Sequence, residues 1–244
     1  MNMEKSIVIS DLHIPFEDKK AVKLVLKFIK DFQPDNIFLN GDIMDCYSLS
    51  TFIKHQDISF NNELRQVREF FTSLRLVSPK SKAVWIQGNH EYRFSKHLIE
   101  RSRNLFSVED ISLEKLTKLD EFGIEYVKNS NADTFYKYGN LLIGHFDRVS
   151  KGSCATAKSL VADKGTSLIQ GHVHRVGTYV KRLGNGEFLC GYEGGCLCKL
   201  EQEYATLSDW SHGFITLIKT NKQVNVTLVP ILNYEFTYGD KVYN

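Results

Sequence analysis

The 244-residue chain lacks a strong excess of charge of either sign. It contains 31 Lys and Arg residues against 29 Asp and Glu residues, which gives a formal net charge of +2. Because so balanced a chain creates no strong electrostatic field, its charge alone does not indicate a nucleic acid or a membrane surface as the partner. The nature of any partner must therefore be inferred from the residues of a site.

Long hydrophobic runs are also missing. No window approaches the roughly 18 consecutive apolar residues that a membrane-spanning helix needs, and the N-terminal segment does not resemble a signal peptide. The five cysteines are odd in number and scattered, which favours a reducing compartment over a disulfide framework. We therefore expect a cytoplasmic protein that makes no use of a membrane.

Internal repeats, low-complexity segments and a dividing linker are absent as well. A chain of this length suits one sizeable hydrophobic core. We expect residues 1–244 to form a single domain, and nothing in the sequence indicates an oligomeric state.

The first half of the chain alternates between strand and helix patterns. Short apolar runs predict buried strands, and apolar residues at helical spacing predict amphipathic helices. Pro34 marks the end of the first helix. The segment 94–128 is mixed and charged, which indicates short helices and loops. The predicted elements are strands at 6–9, 36–39 and 83–86 and helices at 21–32 and 61–77.

Short strands dominate the second half. One helix interrupts them at 153–164, closed by Gly165 in the position where a left-handed residue is favoured. The predicted strands are 134–137, 141–143, 168–170, 179–182, 188–190, 214–218 and 224–229. Together the patterns predict an α/β fold, a layered β-sandwich of two mixed sheets flanked by helices, the second sheet with antiparallel character.

Polar residues that can bind metal follow five of the predicted strands. Open α/β sheets place their sites at the carboxyl ends of strands. The pairs Asp11/His13 and His172/His174 are spaced so that extended backbone would turn both side chains to one side. Glycines precede four of the groups, as expected where backbone must approach a site closely. The groups are Asp11 and His13; Asp42 and Asp45; Asn89, His90 and Glu91; His145; and His172 and His174.

The candidate ligands offer imidazole, carboxylate and amide groups and no thiolate. Such a set suits first-row ions such as Mn²⁺, Fe²⁺, Zn²⁺ or Ni²⁺. The candidate ligands are too many for one tetrahedral ion. Two ions about 3.5–4 Å apart can share a hydroxide nucleophile and clamp a phosphoryl group.

The ordered blocks resemble the calcineurin-like metallophosphoesterases. The family pattern D-x-H, G-D-x-x-D, G-N-H-[DE], G-H and G-H-x-H occurs in this order within residues 5 to about 175. Any one block is a weak signal, but the five together are highly specific. The matching residues are Asp11 and His13; Gly41, Asp42 and Asp45; Gly88, Asn89, His90 and Glu91; Gly144 and His145; and Gly171, His172 and His174.

The resemblance implies a role for each of these side chains. A first metal would be held by Asp11, His13, Asp42 and His174, and a second by Asn89, His145, His172 and the shared Asp42. His90 would act on the substrate, as an acid or as a stabiliser of phosphoryl charge, with Asp45 orienting it. The implied cofactors are two divalent ions, with Mn²⁺ expected and Fe, Zn or Ni as alternatives.

Two positions depart from the pattern of the protein Ser/Thr phosphatase branch. Cys46 stands where that branch has a phosphate-gripping Arg, and Phe146 stands where a Gly commonly follows the histidine. That subclass is therefore disfavoured. The missing positive charge would have to come from a basic residue near the ligands in sequence, for which the candidates are Arg93, Arg148, Lys151 and Arg175.

Several other residues invite a functional interpretation that the sequence does not favour. His55, His97 and His212 lie outside the blocks and are expected to be structural or surface residues. Cys196 and Cys198 form a C-x-C without a second pair, so we interpret them as small buried hydrophobes. The aromatic alternation at Tyr234, Phe236 and Tyr238 is typical of strand packing.

The sequence thus predicts a dinuclear-metal-dependent hydrolase of phosphoester bonds that uses a metal-bridging hydroxide. The substrate would be a phosphorylated small molecule, a nucleotide or a nucleic acid, as a phosphomonoester or a phosphodiester. One alternative is a nuclease, which should show a basic groove leading to the site. The other is a non-catalytic binding module with the same fold, which the complete ligand set disfavours.

Overall fold

Two β-sheets and five α-helices make up most of the computed structural model, which describes residues 3–54, 56–128, 134–201 and 209–244. The helices are α1 Lys19–Phe32, α2 Phe60–Val77, α3 Asn89–Arg101, α4 Leu113–Thr117 and α5 Ala155–Lys164. The strands are β1 Glu4–Ile9, β2 Asn36–Asn40, β3 Lys82–Ile86, β4 Ile124–Val127, β5 Phe135–Tyr138, β6 Leu141–Gly144, β7 Ser167–Gln170, β8 Val176–Arg182, β9 Phe188–Gly194, β10 Gly213–Lys219, β11 Val224–Pro230, β12 Phe236–Tyr238 and β13 Lys241–Tyr243.

The first sheet has six strands in the order β11-β10-β1-β2-β3-β4. Strands β1 to β4 run parallel to one another, and β10 joins β1 in antiparallel register. Parallel strands end at the same edge of a sheet, so the loops after β1, β2 and β3 lie side by side. These are the loops that carry the first three groups of candidate ligands.

The second sheet has five strands in the order β5-β6-β7-β9-β8. It is more mixed than its sequence pattern indicates, because β7 runs parallel to both β6 and β9. The parallel pair β6 and β7 again ends at one edge, where His145 and His172 follow. The two sheets together confirm the predicted α/β sandwich of mixed sheets.

Apolar side chains form three layers around these sheets. Ile143 and Ile169 of the second sheet pack against Phe38 and Val84 of the first, between the sheets. Helices α1 and α2 cover the outer face of the first sheet, with Phe28 among the buried residues. Helix α5 covers the outer face of the second sheet. Both sheets are therefore held rigidly behind the strand ends that form the site.

Two elements between residues 89 and 128 differ from the pattern expected there. Helix α3 begins at Asn89 itself, so the third ligand group starts a 13-residue helix and does not simply end a strand. Strand β4 extends the first sheet. With only four residues, β4 is too short for alternation of apolar side chains to reveal it.

Other expectations hold. Gly165 ends α5 with a left-handed backbone, at φ 62°. Phe236 of the aromatic alternation is buried against Phe28. Within the described residues, no helix has the length and apolar character needed to cross a bilayer.

Candidate metal centre

Sharp backbone turns bring the ligand groups together. Asp11, His13, His172 and His174 all have positive φ, between 51° and 70°, as does Asp42 at 49°. Such left-handed conformations are unfavourable for residues other than glycine and concentrate at functional sites. The extended backbone assumed for the i, i+2 pairs is therefore wrong. Left-handed turns produce the convergence of each pair instead.

The carboxylate of Asp42 lies at the centre of the cluster, fully buried. Its Oδ1 accepts a hydrogen bond of 2.9 Å from the backbone N–H of His90, at the start of α3. Its Oδ2 has no hydrogen-bond partner among the described residues. That oxygen lies 3.1 Å from His145 Nε2, 3.7 Å from His90 Nε2 and 3.8 Å from His13 Nε2. A buried anionic oxygen surrounded by imidazole nitrogens is the arrangement expected where cations bind.

Two groups of ligand atoms lie on the two sides of this carboxylate. Within each group, the atoms lie within 4.8 Å of one another. On one side His174 Nε2 is 3.1 Å from Asp11 Oδ1 and 3.2 Å from His13 Nε2. On the other side Asn89 Oδ1 is 3.0 Å from His145 Nε2. The groups are Asp11, His13 and His174 on the first side and Asp42, His145 and His172 on the second.

The two groups contain six of the seven ligands that the family resemblance implies, and Asn89 lies beside His145 of the second group. All seven predicted ligands are brought together. The donors fit divalent ions of the predicted class, because the groups combine imidazole and carboxylate and Asp42 Oδ2 is left for a cation.

His90, Asp45 and Arg93 form a connected group beside the ligands. His90 Nδ1 lies 3.0 Å from the carbonyl oxygen of Asp45 and 3.2 Å from its Oδ2. Asp45 Oδ2 also lies 2.9 Å from His13 Nδ1. Arg93 Nη2 is 3.0 Å from His90 Nε2, and its Nη1 donates to the Asp45 carbonyl at 3.1 Å. Asp45 therefore contacts both a candidate ligand and the candidate acid.

Of the four basic candidates, Arg93 is the one that contacts His90 and Asp45 within the described residues. Arg148 pairs with Asp163 of α5, and Arg175 pairs with Asp209 at 2.8 Å. Lys151 forms no ion pair within the described part of the chain. Cys46, which stands where a phosphate-binding Arg would be expected, is uncharged and fully buried. Arg93 is therefore the candidate that brings positive charge next to the site.

Glu91 has a role that sequence reasoning missed. Its carboxylate is buried and accepts hydrogen bonds from the backbone N–H groups of Asp42 and Met44, each at 3.0 Å, and of Gly88 at 2.8 Å. It therefore ties the start of α3 to the loop after β2 and does not face the ions. Burial and the nearby Asp42 raise the pKa of Glu91 to about 7.

Asp147 is a second residue that sequence reasoning missed. Its Oδ1 lies 3.3 Å from His172 Nε2, and its side chain is half exposed. If His172 binds an ion through Nδ1, Asp147 can accept the remaining ring proton and orient the ring, as carboxylates commonly do behind metal-binding histidines. Asp147 follows the candidate ligand His145 by two residues. That spacing does not predict the contact of Asp147 with His172, which lies 25 positions further along the chain.

The glycines before the ligands have the predicted purpose. A Cβ atom on Gly41 would overlap the ring of His145, and Gly41 has φ +81°. A Cβ atom on Gly88 would overlap Asp42 Oδ1 and the Asp42 backbone nitrogen. Both positions therefore allow neighbouring loops to approach closely enough for one set of ligands to meet.

Burial and charge set the protonation of the ligands. Burial alone would lower the pKa of His145, but Asp42 and Asp11 outweigh it and raise that pKa to about 10. Burial is likewise outweighed at His174, where Asp11 raises the pKa to about 10. Burial and the neighbouring His145 lower the pKa of His172 to about 4. Protons on two of the rings thus balance the buried carboxylates until a cation replaces them.

The remaining histidines and the cysteine pair lie around this centre. His97 is exposed on α3, and His212 is buried with Nε2 2.8 Å from the carbonyl oxygen of Cys198. His55 lies outside the described residues. Cys196 and Cys198 are fully buried as expected, yet together with His174 they form a further group of candidate ligand atoms within 4.8 Å of one another.

Gly88→Ala should abolish metal binding while leaving the fold intact. The φ of Gly88, at −97°, suits alanine, so the obstacle is the overlap of the added Cβ with Asp42 and with Glu91 Oε2. We expect loss of bound ions by mass spectrometry and a native circular dichroism spectrum. Gly184→Ala is the matched control, because its Cβ would meet nothing within 4 Å. Normal metal content in Gly88→Ala would contradict the tight placement of Asp42.

Metal binding should release protons and strengthen as the pH rises. His145 and His174 have pKa values of about 10 without metal and must lose their protons to bind an ion through Nε2. At any pH below these pKa values, each proton that must be displaced lowers the binding constant by about tenfold for every unit by which the pH falls. Calorimetric Mn²⁺ titrations between pH 6 and 9, in buffers of different ionisation enthalpy, measure this release. A binding constant independent of pH would refute it.

Comparisons with known proteins agree with the geometry. The family model of the calcineurin-like phosphoesterases matches residues 5–176. Over a 257-residue alignment the chain is 31% identical to the Gene 54 protein of Mycobacterium phage L5 and 32% identical to that of Mycobacterium phage D29, each covering 98% of both chains. Vacuolar Protein Sorting 29 from Cryptosporidium parvum shares the fold, with a TM-score of 0.50 and 13% identity over 96% of this chain and 95% of that one. From the family model and these relatives, the chain belongs to the calcineurin-like phosphoesterase family.

Proposed function

We propose that the protein hydrolyses phosphoester bonds with two divalent ions bound on either side of Asp42. The observation that carries this proposal is Asp42 Oδ2, a buried carboxylate oxygen without a hydrogen bond among the described residues and within 3.8 Å of three imidazole nitrogens. Ligand groups on both sides of it complete two sites. When bound, two such ions activate water and neutralise phosphoryl charge.

The protein's own residues would hold the reacting groups in place. Asp42 Oδ1 is fixed by the N–H of His90, and both carboxylate oxygens of Asp11 accept from the N–H of His172, at 3.0 and 3.1 Å. Glu91 fixes the loop that carries Asp42 through three backbone hydrogen bonds. The ligands are therefore preorganised, which limits the structural cost of reaching the transition state.

His90 is suited to protonate the leaving oxygen. Burial alone would lower its pKa, but Asp42 and Asp45 outweigh burial and raise it, which favours the protonated ring. Asp45 holds Nδ1 and leaves Nε2 as the atom that faces Asp42 and Arg93. A protonated Nε2 cannot accept from Arg93, so protonation frees the guanidinium for a phosphoryl oxygen.

The substrate we propose is a phosphorylated small molecule or nucleotide. Arg93 is the basic candidate whose recorded contacts reach the site, while Arg148 and Arg175 pair with acidic residues. A nuclease needs a row of basic side chains along the nucleic-acid backbone. These pairings favour a compact phosphate over a long polyanion, and a nuclease remains the alternative within the same chemistry.

A non-catalytic binding module is the second candidate function. The structural neighbour from Cryptosporidium parvum carries the name of a sorting protein, and it shares the fold with this chain. Against this function stands the clustering of the seven proposed ligands around Asp42, which supports metal binding. A module that uses only its surface has no need of buried carboxylates left for cations.

Further features of the protein belong to the same proposal. We propose Mn²⁺ as the metal, since oxygen and imidazole ligands suit it. We also propose a single domain over residues 1–244, because both sheets share the apolar layer between them. A cytoplasmic location fits the five free cysteines.

The function is tested by hydrolysis of bis-p-nitrophenyl phosphate and p-nitrophenyl phosphate by metal-stripped protein resupplied with Mn²⁺. We expect activity that returns with the metal. Preference for the monoester supports a phosphatase, and preference for the diester supports a phosphodiesterase or nuclease. Two bound ions without hydrolysis of either compound would contradict the proposal and favour the binding module.

His90→Ala should lower kcat by about 10² to 10⁴-fold, the range of a lost general acid. Its metal content should stay near that of the unchanged protein, because His90 is not among the proposed ligands. His97→Ala is the control, since His97 is an exposed histidine of the same helix. If turnover is unchanged in His90→Ala, the ring has no part in the reaction.

Arg93→Ala should lower kcat/KM by about 10 to 100-fold, the value of one hydrogen bond to a charged group. Metal content should be unaffected, because the Arg93 guanidinium contacts His90 and Asp45 and none of the proposed ligands. Arg101→Ala serves as the control, as Arg101 is exposed at the other end of α3. Equal kcat/KM in the two variants would remove Arg93 from phosphate binding.

A further inference from the structure

A group of soft ligand atoms lies behind the metal centre. We call it the thiol pocket, formed by Sγ of Cys196, Sγ of Cys198 and Nδ1 of His174. The three ligand atoms lie within 4.8 Å of one another, and Cys198 Sγ is 3.9 Å from His174 Nδ1. All three side chains are buried, the cysteines completely. Nothing in the two-ion assignment uses either thiol.

The backbone around the thiol pocket is held firmly. Cys196 N donates to Ser211 O at 3.1 Å, and Leu197 N donates to Asp11 O at 3.1 Å. His212 Nε2 contacts the carbonyl oxygen of Cys198 at 2.8 Å. The two thiols are therefore fixed directly behind the loop of Asp11, and they need no rearrangement of the chain to face His174.

The distances suit one tetrahedral ion. With metal–sulfur bonds of about 2.3 Å and metal–nitrogen bonds of about 2.0–2.1 Å, sulfur and nitrogen ligands of a tetrahedral ion lie roughly 3.6 Å apart. The observed 3.9 Å between Cys198 Sγ and His174 Nδ1 is close to that value. Thiolates select soft ions such as Zn²⁺ or Cu⁺, whereas the ligands around Asp42 favour harder ions.

We propose that the thiol pocket binds a thiophilic ion of the Zn²⁺ class, in competition with the first ion of the dinuclear centre. Its ligands are the thiolates of Cys196 and Cys198 and the Nδ1 atom of His174, and the two thiol protons are released to solvent on binding. Mn²⁺ is excluded from this pocket by its preference for oxygen ligands.

Sharing of His174 couples the thiol pocket to the first ion. The Nε2 atom of the same ring faces Asp11 Oδ1 and His13 Nε2 in the dinuclear centre. A neutral imidazole offers only one lone pair to an ion, so an ion on Nδ1 leaves Nε2 protonated. Binding at the two places is therefore mutually weakening, and by linkage each ion weakens the other by the same factor.

The proposal is tested by titrating Mn²⁺-loaded protein with Cd²⁺, a thiophilic probe with a thiolate charge-transfer absorption. We expect one equivalent of Cd²⁺ to produce this absorption and to displace one Mn²⁺, measured by mass spectrometry after buffer exchange. The double variant C196S/C198S should show neither effect at one equivalent. The matched control is C154S/C190S, which removes the two half-buried thiols and should behave like the unchanged protein.

A second measurement needs no variant. X-ray absorption at the zinc edge of the unchanged protein, loaded with two Mn²⁺ and then one Zn²⁺, should show sulfur neighbours at about 2.3 Å. Zinc surrounded only by nitrogen and oxygen would overturn the proposal, as would equal cadmium absorption in C196S/C198S and the control. Either result would leave Cys198 as an acceptor for the Nδ1 proton of His174. Because these readouts are metal content and coordination, they stand apart from hydrolysis of phosphoesters.

Discussion

The buried carboxylate of Asp42 is the constraint on which the site depends. A charge removed from water is costly unless it is paired, and Asp42 carries an oxygen without a hydrogen bond among the described residues. Its neighbours are the imidazole rings of His13, His90, His145 and His172 and the carboxylate of Asp11. Without metal, protons on His145 and His174 supply the balancing charge, so the pKa of each ring is raised. In the proposed function, bound cations would replace these protons, and the same geometry would serve as a reaction centre.

Holding that carboxylate in place shapes much of the surrounding backbone. Five residues of the ligand loops adopt left-handed conformations, and glycine at positions 41 and 88 lets the loops touch. Both carboxylate oxygens of Glu91 accept hydrogen bonds from backbone N–H groups, in the Asp42 loop and in the turn before α3. The rigid sheets behind the loops supply the support for this strain. Precision at the site thus comes partly from residues outside the proposed ligand set, such as Gly41, Gly88 and Glu91.

Local pattern in the sequence was enough for most of the strands and for the clustering of the candidate ligands. Apolar runs followed by a glycine and a polar group locate Asp42, His145 and His172, and an apolar run followed by polar residues alone locates Asp11. Other features arise from contacts between distant residues and have no local signal. Glu91 meets Asp42 across 49 positions, and Cys198 meets His174 across 24 positions. The left-handed turns at Asp11 and His13 were missed because glycine, the usual marker of such turns, is absent there.

The most direct test of the account is a crystal structure of the Mn²⁺-loaded protein with anomalous diffraction measured at the manganese edge. The account predicts two anomalous peaks about 3.5–4 Å apart with Asp42 Oδ2 between them. One peak should contact Asp11, His13 and His174, and the other should contact Asn89, His145 and His172. A single ion, or two ions that do not share Asp42, would contradict the claim that this carboxylate organises the centre.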